Sequence, residues 1–246
     1  MKNIELWRPS KYEYYGGKLR ASRSRAEVGI ASRLITDHVA QCYDAHLGQY
    51  AKGQLVDLGC GKTPLYQAYR PYIDQCTCVD WINTFHETSH IDIACDLNDD
   101  LPLEDSIFDT VILSDVIEHI ARPEKLWSEV ARILRPGGKA IINVPFMYWL
   151  HETPFDYYRY TEFALRRFAE INNLKIITLV PMGGVPAVLA DVIAKTVVNW
   201  RIIGRIMANA VQFAHNRLVK TGIGKRFAEK TAPVFPLFYF MIVEKN

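Results

Sequence analysis

The segment Leu55–Gly61, with the sequence Leu-Val-Asp-Leu-Gly-Cys-Gly, constrains the fold of this chain more than any other. Strand-forming apolar residues lead into a turn that contains Gly59 and Gly61, and glycine allows both a tight turn and the close approach of a ligand. A nucleotide site of this type also needs a carboxylate about 20 residues further on, at the end of the next strand, to bind ribose hydroxyls. Asp80 occupies that position. The sequence therefore predicts a nucleoside-binding turn.

Two features of other nucleotide sites are missing from this turn. The third glycine of the dinucleotide fingerprint G-x-G-x-x-G would fall at Pro64, so the close packing of helix on strand over a pyrophosphate is lost and NAD is disfavoured. Gly59 and Gly61 begin no G-x-x-x-x-G-K-[ST] pattern, which excludes a phosphate-binding loop. The remaining candidate is a nucleoside ligand without phosphates.

From residue 55 to about 180 the sequence resembles the class I S-adenosylmethionine-dependent methyltransferases, in a type 11-like branch. The motifs that carry the resemblance are Val56–Gly61, Val79–Trp81, Cys95–Leu97, Phe108–Ile120 and Leu134–Pro145, in the family order. Each alone could be an ordinary turn or helix cap, so the prediction rests on their joint order. The resemblance implies that S-adenosylmethionine binds at Asp57, Gly59, Cys60, Gly61, Asp80, Trp81, Asp96, Leu97 and Ser114.

The predicted strands and helices alternate, which is typical of βαβ units and a doubly wound, mostly parallel α/β sheet. The strands are expected near 54–59, 76–80, 91–95, 108–114, 139–144, 175–180 and 237–244, and the helices near 24–47, 64–70, 123–134 and 161–172. The resemblance implies a Rossmann-like sheet of seven strands whose last strand runs antiparallel between the fifth and sixth. Ligands of such sheets bind beyond the carboxyl ends of the strands, where Gly59, Asp80, Asp96 and Ser114 are expected to converge.

Composition predicts one globular domain over residues 1–246. Hydrophobic residues make up 49% of the chain and charged residues 23%, which is ordinary for a globular protein. Met1–Glu5 contain no apolar signal core, and the five cysteines form no C-x-x-C pair. We therefore expect a cytoplasmic protein with reduced thiols and without a metal site.

Residues 1–50 are predicted to form a helical lid. Aromatic residues precede the basic stretch Arg20–Arg25, and the pair Gly16-Gly17 could serve as a hinge. Aromatic residues interleaved with arginines also occur in nucleic-acid-binding proteins, but the chain carries a net charge of only +2 and has no such module. The resemblance implies N-terminal helices that close over the cofactor. We therefore predict a lid and no nucleic-acid partner.

Residues 184–232, before the last predicted strand, form an insertion. Eight Lys or Arg residues against Asp191 and Glu229 give it a net charge of +6. Apolar residues recur at helical spacing, which predicts two or three amphipathic helices. The longest uncharged run, Ile206–Asn216, is shorter than the ~18 residues of a membrane span. We favour packing of the apolar face against the sheet or in a homodimer over peripheral membrane contact, and expect the charge to attract an anionic acceptor.

The segment His151–Thr161 follows the fifth predicted strand and is rich in ionisable groups. It resembles the H-x-x-P-x-D-Y-Y-R-Y-T stretch of methyltransferases common in glycan and natural-product pathways. That resemblance implies O-methylation of a sugar, glycan precursor or natural-product hydroxyl. Because a hydroxyl must lose its proton, we predict His151 as general base, with His119 as second candidate. Asp156 or Glu152 would orient the base, and Arg159 would hold the acceptor.

Three other functions remain open or are disfavoured. N-methylation of a small molecule would need the same cofactor. A methyltransferase-fold protein that binds S-adenosylmethionine without catalysis, as a scaffold or at a membrane surface, is a non-enzymatic alternative. DNA adenine methylation is disfavoured, because the Asn/Asp-Pro-Pro-aromatic turn of such enzymes is replaced by Ser114–Ile117.

Overall fold

The computed structural model describes residues 1–83 and 88–246 of the chain. The strands are β1 (Tyr12–Tyr15), β2 (Lys18–Ala21), β3 (Gly53–Leu58), β4 (Ile73–Asp80), β5 (Ile93–Ala94), β6 (Phe108–Ser114), β7 (Leu134–Pro145), β8 (Leu174–Gly183) and β9 (Pro236–Lys245). The α-helices are α1 (Arg33–Tyr50), α2 (Tyr66–Tyr69), α3 (Pro123–Ile133), α4 (Glu162–Ile171), α5 (Gly184–Val197), α6 (Gly204–Leu218) and α7 (Gly222–Thr231).

Over the described ranges, seven strands form one sheet in the order β5-β4-β3-β6-β7-β9-β8. The pairs from β5 to β7 are parallel, and β9 runs antiparallel between β7 and β8. The predicted seven-stranded, mostly parallel Rossmann-like sheet is therefore confirmed, including the place of its last strand. Since β3, β4 and β6 are parallel neighbours, the turns that follow them lie at one edge of the sheet.

Both faces of the sheet are covered by apolar layers. Along β9, alternate side chains point to opposite faces, as the pleat of a strand requires. Tyr239, Met241 and Val243 join the layer that contains Trp127 of α3 and Phe168 of α4. Phe238, Phe240 and Ile242 join the layer beneath α1. The doubly covered sheet fixes the strand ends that carry the site.

The N-terminal region differs from the predicted helical lid. β1 and β2 pair as an antiparallel hairpin, and Gly16 and Gly17 form its two-residue turn. Both glycines have positive φ, +57° and +74°, which suits the type I′ turn that joins tightly paired strands. The glycine pair therefore closes a hairpin and is no hinge between helices.

The first long helix also begins later than predicted, at Arg33 and not near residue 24. Upstream, the hydroxyl of Ser22 accepts the backbone N–H of Ser24, and the carboxylate of Glu13 accepts that of Arg23. Such local side-chain acceptors compete with the carbonyl groups that a helix would use. At the start of α4, the hydroxyl of Thr161 accepts the N–H of Ala164 and caps the helix.

The insertion forms three helices, α5, α6 and α7, as predicted. Only part of its apolar surface is covered within the chain, so packing against the sheet accounts for some of its apolar residues and leaves others exposed. The exposed ones include Leu189, Val192, Ile193, Trp200, Ile202, Ile203 and Ile206. None of the helices in the described ranges is long and apolar enough to cross a membrane.

The hairpin turn yields a test of backbone strain. Gly17→Ala is expected to lower the free energy of unfolding by about 1 kcal/mol, because a residue with a Cβ is strained in the left-handed region. A Cβ at Gly17 would meet no atom within 4 Å, so no steric clash contributes. Urea denaturation measures the change.

The matched control is Gly222→Ala at the start of α7. A Cβ there also meets nothing within 4 Å, and its φ is outside the left-handed region. Stability should stay equal or rise, because alanine favours a helix over glycine. Equal losses in both variants would contradict the hairpin geometry.

Candidate active site

A cavity of about 440 Å³ opens at the carboxyl ends of β3, β4, β5 and β6. Seven of the nine residues predicted to bind the cofactor line this cavity, which we call the cofactor cleft. They are Gly59, Gly61, Asp80, Trp81, Asp96, Leu97 and Ser114. The sheet thus brings together side chains from four strand ends, as the strand-end motifs predict.

The glycine turn after β3 forms the floor of the cofactor cleft. Gly59 has φ +70°, and a Cβ on it would meet Val116 Cγ2 at 2.7 Å. The backbone N–H of Gly59 donates to the carbonyl oxygen of Val79 on β4 at 2.8 Å. On the other side, the Trp7 indole N–H donates to the carbonyl of Thr63 at 3.1 Å. The turn is therefore rigid, and its conformation requires glycine.

Two carboxylates at strand ends are oriented by backbone donors. Asp80 Oδ2 accepts the N–H of Gly61, and Oδ1 accepts that of Trp81, both at 2.8 Å. Asp96 Oδ1 accepts the backbone and side-chain N–H groups of Asn98 at 2.8 Å each. A carboxylate at the end of the second strand suits the hydroxyls of a ribose.

Asp57 and Cys60 are the two predicted cofactor residues that do not line the cleft. Both are buried beneath the glycine turn. Asp57 Oδ2 accepts the hydroxyl of Tyr69 at 3.0 Å. Burial, together with the nearby charge of Asp80, raises the pKa of Asp57 to about 7 although the Tyr69 hydrogen bond opposes the shift. These two residues support the turn from behind.

The charge of the cleft suits a cationic nucleoside. Among the described lining residues, five carboxylates face two ammonium groups, those of Lys11 and Lys62. Lys11 is paired with Asp115 at 2.6 Å and Lys62 with Glu27 at 3.1 Å. Because acidic groups remain in excess, the cleft attracts the positive sulfonium and ammonium groups of S-adenosylmethionine.

A second cavity, of about 200 Å³, adjoins the cofactor cleft. Lys11, Glu27 and Asp115 line both cavities, and Tyr148 and His151 line the second alone. The N-terminal region contributes to both, through residues between 10 and 36. We call this second space the acceptor cavity.

Two histidines meet where the cavities adjoin. His119 lines the cofactor cleft, His151 lines the acceptor cavity, and their Nε2 atoms are 3.1 Å apart. Glu118 Oε1 lies 3.7 Å from His119 Nε2 and 3.6 Å from His151 Nε2. We call Glu118, His119 and His151 the histidine cluster. It unites both predicted base candidates with a carboxylate that is not among the predicted site residues.

Polar contacts orient each ring of the cluster. His119 Nδ1 is 3.0 Å from the carbonyl oxygen of Phe155. His151 Nδ1 is 3.2 Å from Asp156 Oδ2, and the backbone N–H of His151 donates to the same oxygen at 2.9 Å. Burial would lower the pKa of His151, but the adjacent Glu118 carboxylate outweighs it and raises the pKa. Asp156 thus lies beside His151, as predicted for an orienting group.

The guanidinium of Arg159 makes its hydrogen bonds to the loop that carries His151. Its guanidinium donates to both carboxylate oxygens of Asp156 and to the carbonyls of Tyr148, Trp149 and Tyr158. Neither Arg159 nor Asp156 lines either cavity. This arrangement supports a structural role for Arg159 in place of the predicted contact with the acceptor.

The insertion reaches the same loop through Lys195 of α5. Its Nζ lies 3.3 Å from the centre of the Tyr148 ring and is paired with Asp191 one helical turn earlier. Burial lowers the pKa of Lys195 to about 8 against the opposing charge of Asp191. Tyr148 in turn contacts the hydroxyl of Ser32 at 3.1 Å. One wall of the acceptor cavity is therefore held by the insertion.

Sequence reasoning missed Lys11, Asp115, Glu118 and Lys195. Asp115 and Glu118 follow β6 immediately, and polar residues beyond the carboxyl end of a parallel strand are a usable signal. Lys11 and Lys195 lie far from any motif in the sequence. Only the tertiary structure brings them to the cavities.

Comparison with known proteins agrees with this geometry. A profile of the family described as "Methyltransferase domain" matches residues 56–142. An uncharacterized methyltransferase of Mycobacterium ulcerans is 36% identical over 74 residues, which cover 28% of each chain. The match thus spans less than a third of that relative's length.

Two solved structures share the fold of this chain over most of their length. A geranyl diphosphate methyltransferase in complex with S-adenosylmethionine has a TM-score of 0.55 at 13% identity, covering 91% of this chain and 93% of the other. The [4+2]-cyclase SpnF has a TM-score of 0.53 at 15% identity, covering 85% and 83%. The fold is therefore shared with a protein whose described reaction is a cyclisation.

The sheet order and the place of the cofactor cleft are those of the class I S-adenosylmethionine-dependent methyltransferase fold, and the central part of the chain matches a methyltransferase family. The cofactor of this class is S-adenosylmethionine. Residues 56–142 are similar to the family described as "Methyltransferase domain".

The cleft predicts which changes weaken cofactor binding. Asp80→Ala should weaken S-adenosylmethionine binding by at least about tenfold, because a hydrogen bond to a charged group contributes about 1.5–3 kcal/mol. Gly59→Arg should abolish it by filling the floor of the cleft. Isothermal titration calorimetry measures both.

Asp74→Ala is the matched control for the charge. Asp74 is an exposed carboxylate near the opposite end of the same strand, β4. Its removal should leave the affinity unchanged. Unchanged affinity in both Asp80→Ala and Gly59→Arg would show that the cofactor binds elsewhere.

Proposed function

We propose that the protein transfers the methyl group of S-adenosylmethionine to a hydroxyl group of a sugar, glycan precursor or natural product. The observation that carries the proposal is the histidine cluster at the junction of the two cavities. A methyl donor in the cofactor cleft and an acceptor in the adjoining cavity would meet beside it. The site then has a place for each reactant and for the proton.

The residues of the cofactor cleft position the donor. S-adenosylmethionine supplies a methyl group that the positive sulfur already activates. Asp80 and Asp96 bind and orient its nucleoside, and the acidic lining stabilises its positive charge before reaction. Holding two reactants in line can contribute roughly 7–11 kcal/mol in favourable systems, so positioning is the main catalytic effect we expect.

The acceptor cavity supports a hydroxyl substrate of moderate polarity. Its described lining combines the hydroxyls of Ser32 and Thr36 and the Lys11–Asp115 pair with apolar side chains such as Ile35 and Val39. A hydroxyl is a weak nucleophile until its proton is removed, and a general base contributes about 10² to 10⁴ in rate. His151, which lines this cavity, is placed to act on that proton.

The cluster favours an oxygen acceptor over an amine. A neutral amine attacks with its own lone pair and loses its proton only afterwards, whereas a hydroxyl gains most from a base at the point of attack. N-methylation therefore leaves the cluster without a role. A cofactor-binding protein without methyl transfer has some support from the cyclase that shares the fold, and turnover measurements distinguish it.

His151→Ala should lower kcat by about two to three powers of ten and leave S-adenosylmethionine affinity nearly intact, because His151 acts on the acceptor's proton and not on the cofactor. The measurement is release of S-adenosylhomocysteine with a panel of sugar and alcohol acceptors, in single turnover. His46→Ala on α1 is the control and should retain full activity, because His46 lines neither cavity.

The His119→Ala variant separates the roles of the two rings. If it alone loses the rate, the proton is removed at His119. If both variants keep the wild-type single-turnover rate, positioning alone accounts for catalysis. Binding of S-adenosylmethionine without turnover of any hydroxyl acceptor would contradict the proposed function.

A further inference from the structure

The histidine cluster places three possible ligand atoms around one point. His119 Nε2, His151 Nε2 and a Glu118 carboxylate oxygen all lie within 4.8 Å of one another. Two ligand atoms about 2.0–2.1 Å from a tetrahedral zinc ion are about 3.3 Å apart. The observed separations of 3.1, 3.6 and 3.7 Å bracket that distance. The side chains are thus arranged as ligands would be around a small cation.

The partners of the rings favour lone pairs on the two facing nitrogens. A carbonyl oxygen only accepts, so His119 Nδ1 beside Phe155 carries the proton and the neutral ring presents a lone pair at Nε2. Asp156 Oδ2 lies 3.2 Å from His151 Nδ1 without hydrogen-bond geometry, and its negative charge favours a proton on that nitrogen. Two lone pairs at 3.1 Å repel each other unless a cation lies between them. Backbone or carboxylate partners on the second nitrogen are usual for metal-binding histidines.

The surroundings of Glu118 favour a metal ion over a shared proton as the cation between the two rings. Its side chain is fully buried, and among the described residues neither carboxylate oxygen has a hydrogen-bond partner. Burying an unpaired carboxylate is costly. A proton shared by the two rings would leave those oxygens unpartnered, because a hydrogen bond joins only two atoms. A metal ion accepts all three donors at once.

We propose that Glu118, His119 and His151 bind a divalent transition-metal ion of the zinc, cobalt or manganese kind. Two imidazoles and one carboxylate form a ligand set that such ions prefer over magnesium or calcium. Glu152 Oε2, 3.9 Å from His119 Nε2, is within reach as a further ligand. This cluster revises the expectation of a protein without a metal site. The sequence contains no ligand-spacing pattern because His151 is 32 residues from His119.

The role of the ion rests on the proposed function. The two cavities meet at the cluster, so an open coordination position would face the acceptor hydroxyl. Coordination lowers the pKa of that hydroxyl, and its proton passes to solvent water. The oxygen then bonds to the methyl carbon as the carbon–sulfur bond breaks, and the electron pair stays on sulfur. His151 then serves as a ligand, so its loss lowers kcat through the ion.

Metal binding is measured on the full chain without any cofactor or acceptor. After treatment with EDTA and removal of the chelator, cobalt(II) titration should give one ion per chain with visible absorption bands. Glu118→Gln, His119→Ala and His151→Ala should each weaken binding by more than about 100-fold, since loss of an outer partner alone costs 10–100-fold. His46→Ala should bind as the wild type does, and magnesium should not compete.

Thermal unfolding provides a second measurement of metal binding in case a cluster variant folds poorly. Cobalt or zinc should raise the Tm of the wild-type protein, and EDTA should reverse the rise. The proposal is overturned if the wild type binds no stoichiometric ion, or if the three cluster variants bind as tightly as the wild type. Methyl transfer that persists in a chelator with no metal bound would overturn the metal and leave the proposed function standing. Stoichiometric metal binding without methyl transfer would overturn the proposed function and leave the metal site standing.

An independent observation concerns the surface of the insertion. Residues 200–206, with the sequence Trp-Arg-Ile-Ile-Gly-Arg-Ile, span the connection from α5 into α6, and we call them the apolar tip. Ile202 is 88% exposed and Ile206 is 70% exposed. The outward face of α5 continues the apolar surface through Leu189, Val192 and Ile193. Several large side chains in succession thus face water.

We infer that the apolar tip binds the surface of an anionic lipid bilayer. Arg201 and Arg205 flank the apolar side chains, and the insertion carries a net charge of +6. Basic residues beside exposed apolar ones complement anionic head groups over an acyl boundary, and tryptophan is enriched at that depth. A second copy of this chain would bring two sets of positive charge together, so charge complementarity favours the bilayer.

Vesicle sedimentation tests this inference. The protein should bind vesicles of phosphatidylcholine with one-quarter phosphatidylglycerol, and bind phosphatidylcholine alone at least about tenfold more weakly. Ile202→Asp should abolish binding, and the double variant Arg201→Gln, Arg205→Gln should remove its salt dependence. Phe163→Asp, an equally apolar and exposed position on α4, is the control and should bind normally.

Three outcomes overturn the bilayer as partner. The first is failure of the wild type to bind vesicles of either composition, and the second is equal binding by Ile202→Asp. The third is a dimer by light scattering in the absence of lipid that Ile202→Asp converts to monomer, which would assign the apolar tip to a second copy of the chain.

Discussion

The parallel pairing of β3, β4, β6 and β7 is the constraint on which the rest of the structure depends. Backbone hydrogen bonds fix the register of these strands, so their carboxyl ends stop at one edge of the sheet. The glycine turn, Asp80 and the cluster segment after β6 therefore share a cleft although they are distant in sequence. β7 places the loop with His151 beside the turn with His119. Apolar layers on both faces prevent the strands from shifting.

Most of the sheet and most of the cofactor cleft could be predicted from the sequence, because their signals are local. An apolar run that ends in glycine or aspartate specifies both a strand and the turn at its carboxyl end, independently of distant parts of the chain. The hairpin at Gly16-Gly17 had such a signal as well, two glycines between short strands. The sequence predicts a helix from near residue 24, but Glu13 and Ser22 there accept the backbone N–H groups of Arg23 and Ser24.

The histidine cluster shows why the remainder of the site was beyond a sequence argument. Both histidines were candidates, but their contact depends on the backbone N–H groups of Tyr157 and Tyr158, which donate to the carbonyl of Glu118 and bind one loop to the other. A pattern of residue types does not encode such a bond. The burial of Glu118 was also unexpected, since glutamate is almost never fully buried without a partner. Arg159 has the charge of a residue that could bind a substrate. In the structure its guanidinium N–H groups donate instead to Asp156 and to backbone carbonyls of the same loop.

The contact between Lys195 and the Tyr148 ring has a thermodynamic consequence. α5 carries this lysine against the loop of the acceptor cavity, and the same helix leads into the apolar tip. A ligand that displaced α5 at one end would alter the packing of Tyr148 at the other, and the two binding equilibria would then be coupled. Coupling of this kind is reciprocal. A partner bound at the apolar tip that changed the affinity for the acceptor would have its own affinity changed by the acceptor by the same factor, so occupancy of the acceptor cavity would be measurable at that surface.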